Sequence, residues 1–378
     1  MAAFLNGTNG PTLTVQFFIN SSWVSVSTTD LRQMQIHRGR ARADQKNDPG
    51  STTIVLDNHF GFYDPEYTGS GSPYVVSGVN QLQAGLQMQI LATWSGTSYT
   101  LFVGYLETTT VDQGFDPTAT MIFTDGIALL SKMYALAQSP AAYSGETTST
   151  RVGRMLTYAN WTGSRNLSGS VQMEATTQSG TLQTLIEQCV ACEAGRFYIS
   201  RDGVATFLPL SDKFNRVTRL MLSDSRATNT VEYDHLETTP GTYQVVNEAL
   251  IQRDSGTQRR YRHLPSTTAF GLKSITVNAP ILNDSDADNL AKYLAFKDHN
   301  PQPLVQSVQF SAHALGALYP DFLSLEIGDQ ITVERTTVDG RTLELYTVLE
   351  GYQHDIDFEN GWRTNLMTSP MNPYSITI

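Results

Sequence analysis

The chain has 378 residues, of which 40% are apolar and only 16% charged, with a formal net charge of −11. That length suits two or three domains with cores of their own, and the acidic balance excludes a protein built to hold nucleic acid or an anionic membrane. Only two cysteines occur, Cys189 and Cys192, which excludes a disulfide framework, and no apolar run approaches the ~20 residues needed to span a bilayer.

The N-terminus has no basic region followed by an apolar stretch, so no secretory signal is expected and synthesis is expected in a cytoplasm. Up to about Pro140 the chain alternates: Leu13, Val15 and Phe17; Val24 and Val26; Ile54 and Leu56; Met88 and Ile90; Leu101 and Val103; Met121 and Phe123. Period-two runs bounded by turn residues such as Asn47-Asp48-Pro49-Gly50, Ser95-Gly96 and Asp112-Gln113-Gly114 predict short antiparallel strands. Gly126 to Gln138 is the first predicted helix, stopped by Ser139-Pro140. Ala141 to Thr150 reads as a linker. From Thr181 to Ala194, Leu182, Leu185, Ile186 and Cys189 recur at helical spacing, with Gly195 as the C-terminal stop. Arg196 to Leu210 reads as a hairpin turning on Asp202-Gly203. Strands resume at Tyr233, interrupted by one helix from Asp286 to about Lys297 that is capped by Ser285 and buries Leu290, Ala291 and Leu294. Pro370 to Ile378 is a loose tail.

One pattern occurs twice. Gly85 opens an alternating strand, a turn follows, a second strand runs into Gly104-Tyr105, and a third strand ends near Asp125. Gly328-Asp329 opens the same succession, with Gly351-Tyr352 in the second strand and the third reaching Ser369. The intervals are similar (Gly328 − Gly85 = 243; Gly351 − Gly104 = 247), and a Val338-Asp339-Gly340-Arg341 turn helps to absorb the difference. A duplicated β module is expected, with Gly85 on Gly328 and Gly104-Tyr105 on Gly351-Tyr352. Two copies of one β module suit a ring component better than an enzyme.

Candidate chemistry is sparse. Cys189-Val190-Ala191-Cys192 has CxxC spacing, but it lies at the end of its helix, lacks a second ligand pair, and places Cys189 on the apolar stripe, so core packing is expected. Asp284-Ser285-Asp286-Ala287-Asp288 imitates a calcium loop, yet Asn289 and Ala295 occupy the places of the required glycine and closing glutamate. Acidic residues at a helix start are explained by its dipole. The seven histidines form no ligand motif, and the neighbour pair His354-Asp355 does not rise above coincidence. No nucleophile elbow, phosphate loop or dinucleotide fingerprint is present. No catalytic, cofactor or metal residue is nominated. Arg38-Gly39-Arg40-Ala41-Arg42, with Arg32 upstream, is the densest basic run, and these arginines are expected to pair with carboxylates across a subunit contact.

The stretch Ile36 to Glu66 resembles a pattern in tail proteins of long-tailed bacteriophages, especially those of actinobacterial hosts. It comprises Arg38-Gly39-Arg40, a strand from Gly50 through Leu56 into Asp57-Asn58, and a corner Gly61-Phe62-Tyr63-Asp64-Pro65. The stretch Thr150 to Trp161, the helix ending at Glu193-Ala194-Gly195 and the Asp202-Gly203 hairpin look like the second domain of those proteins. Leu325 to Val333 and Leu349 to His354 look like their second tube-type domain.

The resemblance, covering most of the chain in order, is to the baseplate hub or tail-associated minor tail protein of siphophages. It implies a mainly β fold: two tube-like modules at 1–140 and 234–370, the latter with an inserted helix at 285–298, bracketing an α/β middle domain at 141–233, with a tail at 371–378. It also implies a homotrimer at the virion tail tip, presenting six modules that close the tail tube. Its partners there would be the distal tail ring protein, the tape-measure protein and a tip fibre or spike, with genomic DNA passing only in transit and no membrane insertion. The motif positions Arg38, Gly39, Arg40, Leu56, Asp57, Asn58, Gly61, Asp64, Pro65, Gly104, Gly328, Asp329 and Gly351 are expected to be structural, and Arg38, Arg40 and Arg42 to make subunit contacts. The alternatives are a hexameric distal tail ring protein with one module per chain, a tail-tip cell-wall hydrolase, and a receptor-binding adhesin. Longer relatives carry appended domains after the second module, where this chain stops.

Overall fold

The computed structural model describes residues 10–41, 45–135, 143–176, 179–214, 216–225, 227–240, 245–301, 303–358 and 361–371. The fold is mainly β. The alternation that marks strands in the sequence is the alternation of burial: in β1 (Thr12–Ile19) Leu13, Val15, Phe17 and Ile19 point inward, and in β4 (Ser51–Asp57) Thr52, Ile54 and Leu56 do. The first module adds β2 (Ser22–Ser25), β3 (Leu31–Gly39), β5 (Gln87–Trp94), β6 (Thr97–Asp112) and β7 (Thr118–Thr124). Their order in space is β2-β1-β5-β6-β7-β4-β3.

A middle portion follows. Helices α1 (Gly126–Lys132), α2 (Thr148–Tyr158) and α3 (Leu182–Glu193) pack with the hairpin of β8 (Arg196–Ile199) and β9 (Ala205–Leu208). The chain then enters the second module through β10 (Thr218–Ser223), β11 (Val231–Glu232) and β12 (His235–Pro240). An insertion carries α4 (Leu264–Phe270), α5 (Asp284–Lys297) and a three-stranded sheet of residues 248–252, 259–262 and 274–278. The second module closes with β13 (Pro303–Ser311), the short α6 (Tyr319–Leu323), β14 (Gln330–Thr336), β15 (Thr342–Asp357) and β16 (Gly361–Pro370). Its order is β11-β10-β14-β15-β16-β13-β12, the order of the first module strand for strand.

The registers make the correspondence closer still. Gly85 and Gly328 both lie in the left-handed region, at φ of 90° and 96°, and their N–H groups donate to Leu106 O and Leu349 O at 2.8 and 2.7 Å. Gln87 faces Tyr105 as Gln330 faces Val348. The ladder to the third strand then skips one residue, Glu107 in β6 and Glu350 in β15, which lie 243 residues apart as the two glycines do. This bulge bends each 16-residue strand. The first half of each long strand pairs with the strand before it, and the second half with the strand after it. Two ladders differ in direction: β1 runs antiparallel to β5 and β2, whereas β10, reached from the middle portion, runs parallel to β14 and β11.

The bulge corrects one expectation. Counted from it, Gly104 corresponds to Thr347 and Gly351 to Thr108, so the two Gly-Tyr pairs are offset by four residues and serve different contacts. A Cβ on Gly104 would approach Thr124 O to 2.8 Å; one on Gly351 would meet Arg38 O at 2.7 Å.

Buried side chains form two main clusters. One runs through both modules without a break, from Phe17 and Phe123, whose rings stack at 5.8 Å, to Phe310, Phe322 and Trp362. Trp94 of the first module meets Tyr319 of the second at 4.5 Å between ring centres. The other unites the middle helices with the insertion, joining Val152, Leu185, Cys189 and Phe207 to Ala249, Ile281 and Ala291. Residues 218–232 thus belong with the second module's strands, and the insertion is larger than the single expected helix.

Local expectations are adjusted in the same way. The first helix ends at Lys132, and Tyr134–Ala135 is extended and paired; Gln138 and Pro140 lie outside the described residues. In α3 the left-handed residue is Ala194, while Gly195 is needed because a Cβ there would meet Leu208 O at 2.3 Å. Helix α5 starts at Asp284 after Asn283, not at Ser285. Because one core serves both modules, the two should unfold in a single transition. Met34→Ala in β3 should lower its free energy by about 2–5 kcal/mol without splitting it, as read by urea titration of intrinsic fluorescence.

Candidate functional site

The two modules meet along a β-ladder. Strand β3, the last in the first module's order, pairs antiparallel with the second half of β15, from Gly39 opposite Gly351 to Gln33 opposite Asp357. The result is one continuous run, β6-β7-β4-β3-β15-β16-β13-β12, through both modules.

The Arg-Gly-Arg motif is the lock on this ladder. Gly39 has φ of 85°, and a Cβ there would lie 2.3 Å from Glu350 O and 2.6 Å from the Gly351 Cα. Backbones approach this closely only where both residues lack side chains. On one side of the contact Arg38, 1% exposed, donates to the Tyr352 hydroxyl and to Ile199 O, both at 2.6 Å, and pairs with Glu326 at 2.9 Å. Its guanidinium carbon also stands 5.4 Å from the centre of the Tyr352 ring. A single side chain therefore ties together the first module, the β8 hairpin and the second module. On the other side Arg40 donates through Nε to Glu350 at 2.8 Å and through Nη1 to Gln45 O at 2.7 Å.

Burial pushes the Glu350 carboxyl up, but Arg40, Arg196 and Lys213 outweigh it, and with a hydrogen bond from Ser369 they hold it at about 2. His354, buried two residues beyond Tyr352, is driven down to about 3, first by burial and then by Arg38. Its Nδ1 lies 3.0 Å from the Thr364 hydroxyl, not on the neighbouring Asp355, whose carboxylate accepts from Gln35 and Gln353.

Arg38 and Arg40 do pair with carboxylates, as their sequence context predicts, but these carboxylates belong to the same chain across a module junction. Arg42 lies outside the described residues. The remaining motif residues build a corner away from the junction. Leu56 is buried; Asp57 accepts from Arg32 at 2.7 Å and from His59 N at 2.9 Å; the Asn58 side chain accepts from Tyr63 N at 3.0 Å. Gly61, at φ of 70°, turns the chain, and Asp64-Pro65 is fastened by the Asn80 side chain donating to Asp64 O. Asp329 accepts from Arg216 at 2.8 Å and from Glu326 N at 2.9 Å, securing the entry to β14.

The other candidates are absorbed by packing. Cys189 and Cys192 are buried, and burial pushes the Cys189 thiol up to about 12. Asp284 and Asp288 pair with Arg253 and Arg259. Sequence reasoning missed Glu326, Glu350 and Tyr352 as partners of the motif. Leu349-Glu350-Gly351-Tyr352 was visible as a repeat signature, but a ladder between residues more than three hundred positions apart leaves no local trace.

No family model matches this chain, and no curated protein matches it by sequence. Solved structures do match it in fold. A tail protein from Neisseria meningitidis superposes with a TM-score of 0.65 at 10% identity, covering 96% of each chain. The 43 kDa tail protein of prophage MuSo2 from Shewanella oneidensis gives 0.61 at 10% identity, over 95% of this chain and 98% of the other. Prophage tail protein gp18 from Listeria monocytogenes gives 0.53 at 12% identity, over 96% and 95%. At these identities the likeness is one of fold.

Two outcomes test the junction. Gly39→Ala should destabilise the protein by about 2–4 kcal/mol, combining a backbone clash with a strained φ, as measured by chemical denaturation. Acid should act in two windows. His354 stays neutral in the fold while the unfolded chain takes up a proton below its ordinary value of 6.5, so stability falls from there toward about 3. Glu350, depressed from 4.5, contributes stability that is full above 4.5 and is lost as pH falls to about 2. Urea midpoints measured from pH 8 to 3 should flatten between 6.5 and 4.5 in His354→Asn, and lose their steep part below 4.5 in Glu350→Gln.

Proposed function

We propose that this chain is a structural hub protein of a bacteriophage tail tip, three copies of which form a ring of six β modules. The observation that carries the reading is the internal junction, because it leaves its own counterpart open. Counted from the bulge, the part of β15 that receives β3 corresponds to Thr108–Asp112 of β6. Among the described residues no strand pairs with that edge. In the second module β12 stands where β3 stands in the first: Met34 faces Ile54 as Leu236 faces Val308. Among the described residues the outer edge of β12 is likewise unpaired. Each copy thus has an acceptor edge at one end of its sheet and a donor strand at the other. Such head-to-tail contacts form rings when the rotation closes, and closure removes edges that would otherwise invite aggregation.

Carried over from the internal ladder, the register between copies places Thr239 opposite Thr110, Thr238 opposite Val111 and Glu237 opposite Asp112. The fold shared with tail proteins over nearly their whole length supports a place in a tail. Within it, the ring would sit between the distal tail ring protein and a tip fibre or spike, contacting the tape-measure protein. Its lumen would pass DNA with little phosphate attraction, since each copy carries a formal charge of −11. The second module distinguishes this reading from a six-copy ring of single modules.

Light scattering on the purified protein should give a mass of three chains at micromolar concentration. Val111→Pro, which introduces a ring and removes a donor that points away from β7 on the free edge, should shift the mass to one chain and leave the unfolding midpoint within about 0.5 kcal/mol of the parent. Glu237→Gln should tighten assembly, because Gln35 at the internal equivalent donates to Asp355 at 2.6 Å where Glu237 would face Asp112. A monomer mass at every concentration, unchanged by Glu237→Gln, contradicts the reading.

A further inference from the structure

Beside the junction lies a cavity of about 300 Å³ at the meeting of the Arg40 loop, the end of α3, the start of β8 and helix α5. Its walls carry more cations than the fold neutralises. Arg40 is matched by Glu350, and Lys297 by Asp298 at 3.4 Å. Among the described lining residues that leaves Arg196, Lys213 and Lys46 with Glu187 and the longer-range field of Glu350.

Arg196 is the anomaly. It is 7% exposed, yet among the described residues it has no carboxylate within ion-pair distance and makes no hydrogen bond, and its Nη1 is fully buried. The Nη1 atom rests against Gly328, where a Cβ would lie 2.3 Å away, so the module-opening glycine also makes room for the guanidinium. Among the described residues Lys213 finds a single weak acceptor, Pro370 O at 3.4 Å. The last carbonyls of α3 line the same wall, but Val190 O and Ala191 O accept from Gly195 N and Ala194 N. A buried guanidinium without a partner is strongly unfavourable, and planar forked donors match oxyanions best.

We propose that this cavity binds a small oxyanion of the phosphate class, held by Arg196 and Lys213. The anion would pair the guanidinium through the nitrogens other than the sealed Nη1, and it would brace the first module, the middle helices and the insertion against one another at the ladder between modules. The site is complete within one chain and does not depend on the trimer. Because burial, foremost, lowers Lys213 to about 8 in the free protein, affinity should fall as pH rises through that value.

The test is thermal unfolding and calorimetry of the full chain with inorganic phosphate, against sodium chloride at equal ionic strength and against acetate. Phosphate should raise the midpoint in a saturating manner, chloride should not, and Arg196→Gln should abolish the response. Should Arg196→Gln fail to fold, Lys213→Met reads the same site: affinity should drop about tenfold and its decline above pH 8 should vanish. A phosphate response no larger than that of chloride overturns the proposal, as does one that survives in the variants. Saturation by acetate without phosphate binding also overturns it, assigning the cavity to a carboxylate side chain.

Discussion

Two backbones can lie as close as Gly39 and Gly351 only where neither residue carries a side chain, and at this point no adjustment of rotamers could relieve a clash. The ladder that joins the two modules starts there. Without that approach β3 could not reach β15, the run of strands would break in the middle, and the shared core would be cut where Met34 and Ile36 meet Ile356 and His354. The flanking arginines fasten what the glycines permit. Arg38 draws in the β8 hairpin and Glu326, and Arg40 draws in Glu350, the bulge residue that bends β15 toward its new partner.

On the proposed reading, this arrangement is how a duplicated module would join a larger assembly. Each copy of the module bends its long strand at the same place, so each exposes a fresh edge beyond the bend. In the second module the chain fills that edge with its own β3. In the first nothing among the described residues fills it, and a strand of the right position, β12, stands free at the far end. The internal contact is a worked example of the contact that a neighbouring copy would make. The differences are instructive: where the internal ladder has the sealed set Arg38, Glu326 and Tyr352, the open edge has Thr108, Thr109 and Thr110, polar and uncharged. That composition suits an edge that must remain soluble until it is paired.

Much of the fold was legible because strand burial follows alternation: the inward residues of β1, β4, β5 and β7 are those the sequence pattern marks. The Asp202-Gly203 turn also announces itself, with Gly203 at φ of 79°. The duplication was legible in its opening glycines but misaligned at the Gly-Tyr pairs, because a bulge shifts register without leaving a distinctive residue. Helix α2 escaped notice, since its apolar stripe of Val152, Met155 and Leu156 is short and is preceded by a Thr-rich cap. The insertion escaped because its small sheet is buried against the middle helices rather than on itself. The arginine motif was noticed for its charge, and its partners could come only from tertiary structure.

The central claim is that copies of the chain join through the open edge of β6 and strand β12 in the register of the internal ladder. The most direct measurement is cysteine cross-linking of the double variant Thr110→Cys, Thr239→Cys, two positions that the carried-over register sets face to face, while Cys189 and Cys192 are buried and unavailable. Under mild oxidation the account predicts a covalent series that stops at three chains on a non-reducing gel. The offset pair Thr108→Cys, Thr239→Cys should remain uncrosslinked. No cross-link, equal cross-linking in both pairs, or a ladder that continues past three chains would contradict it.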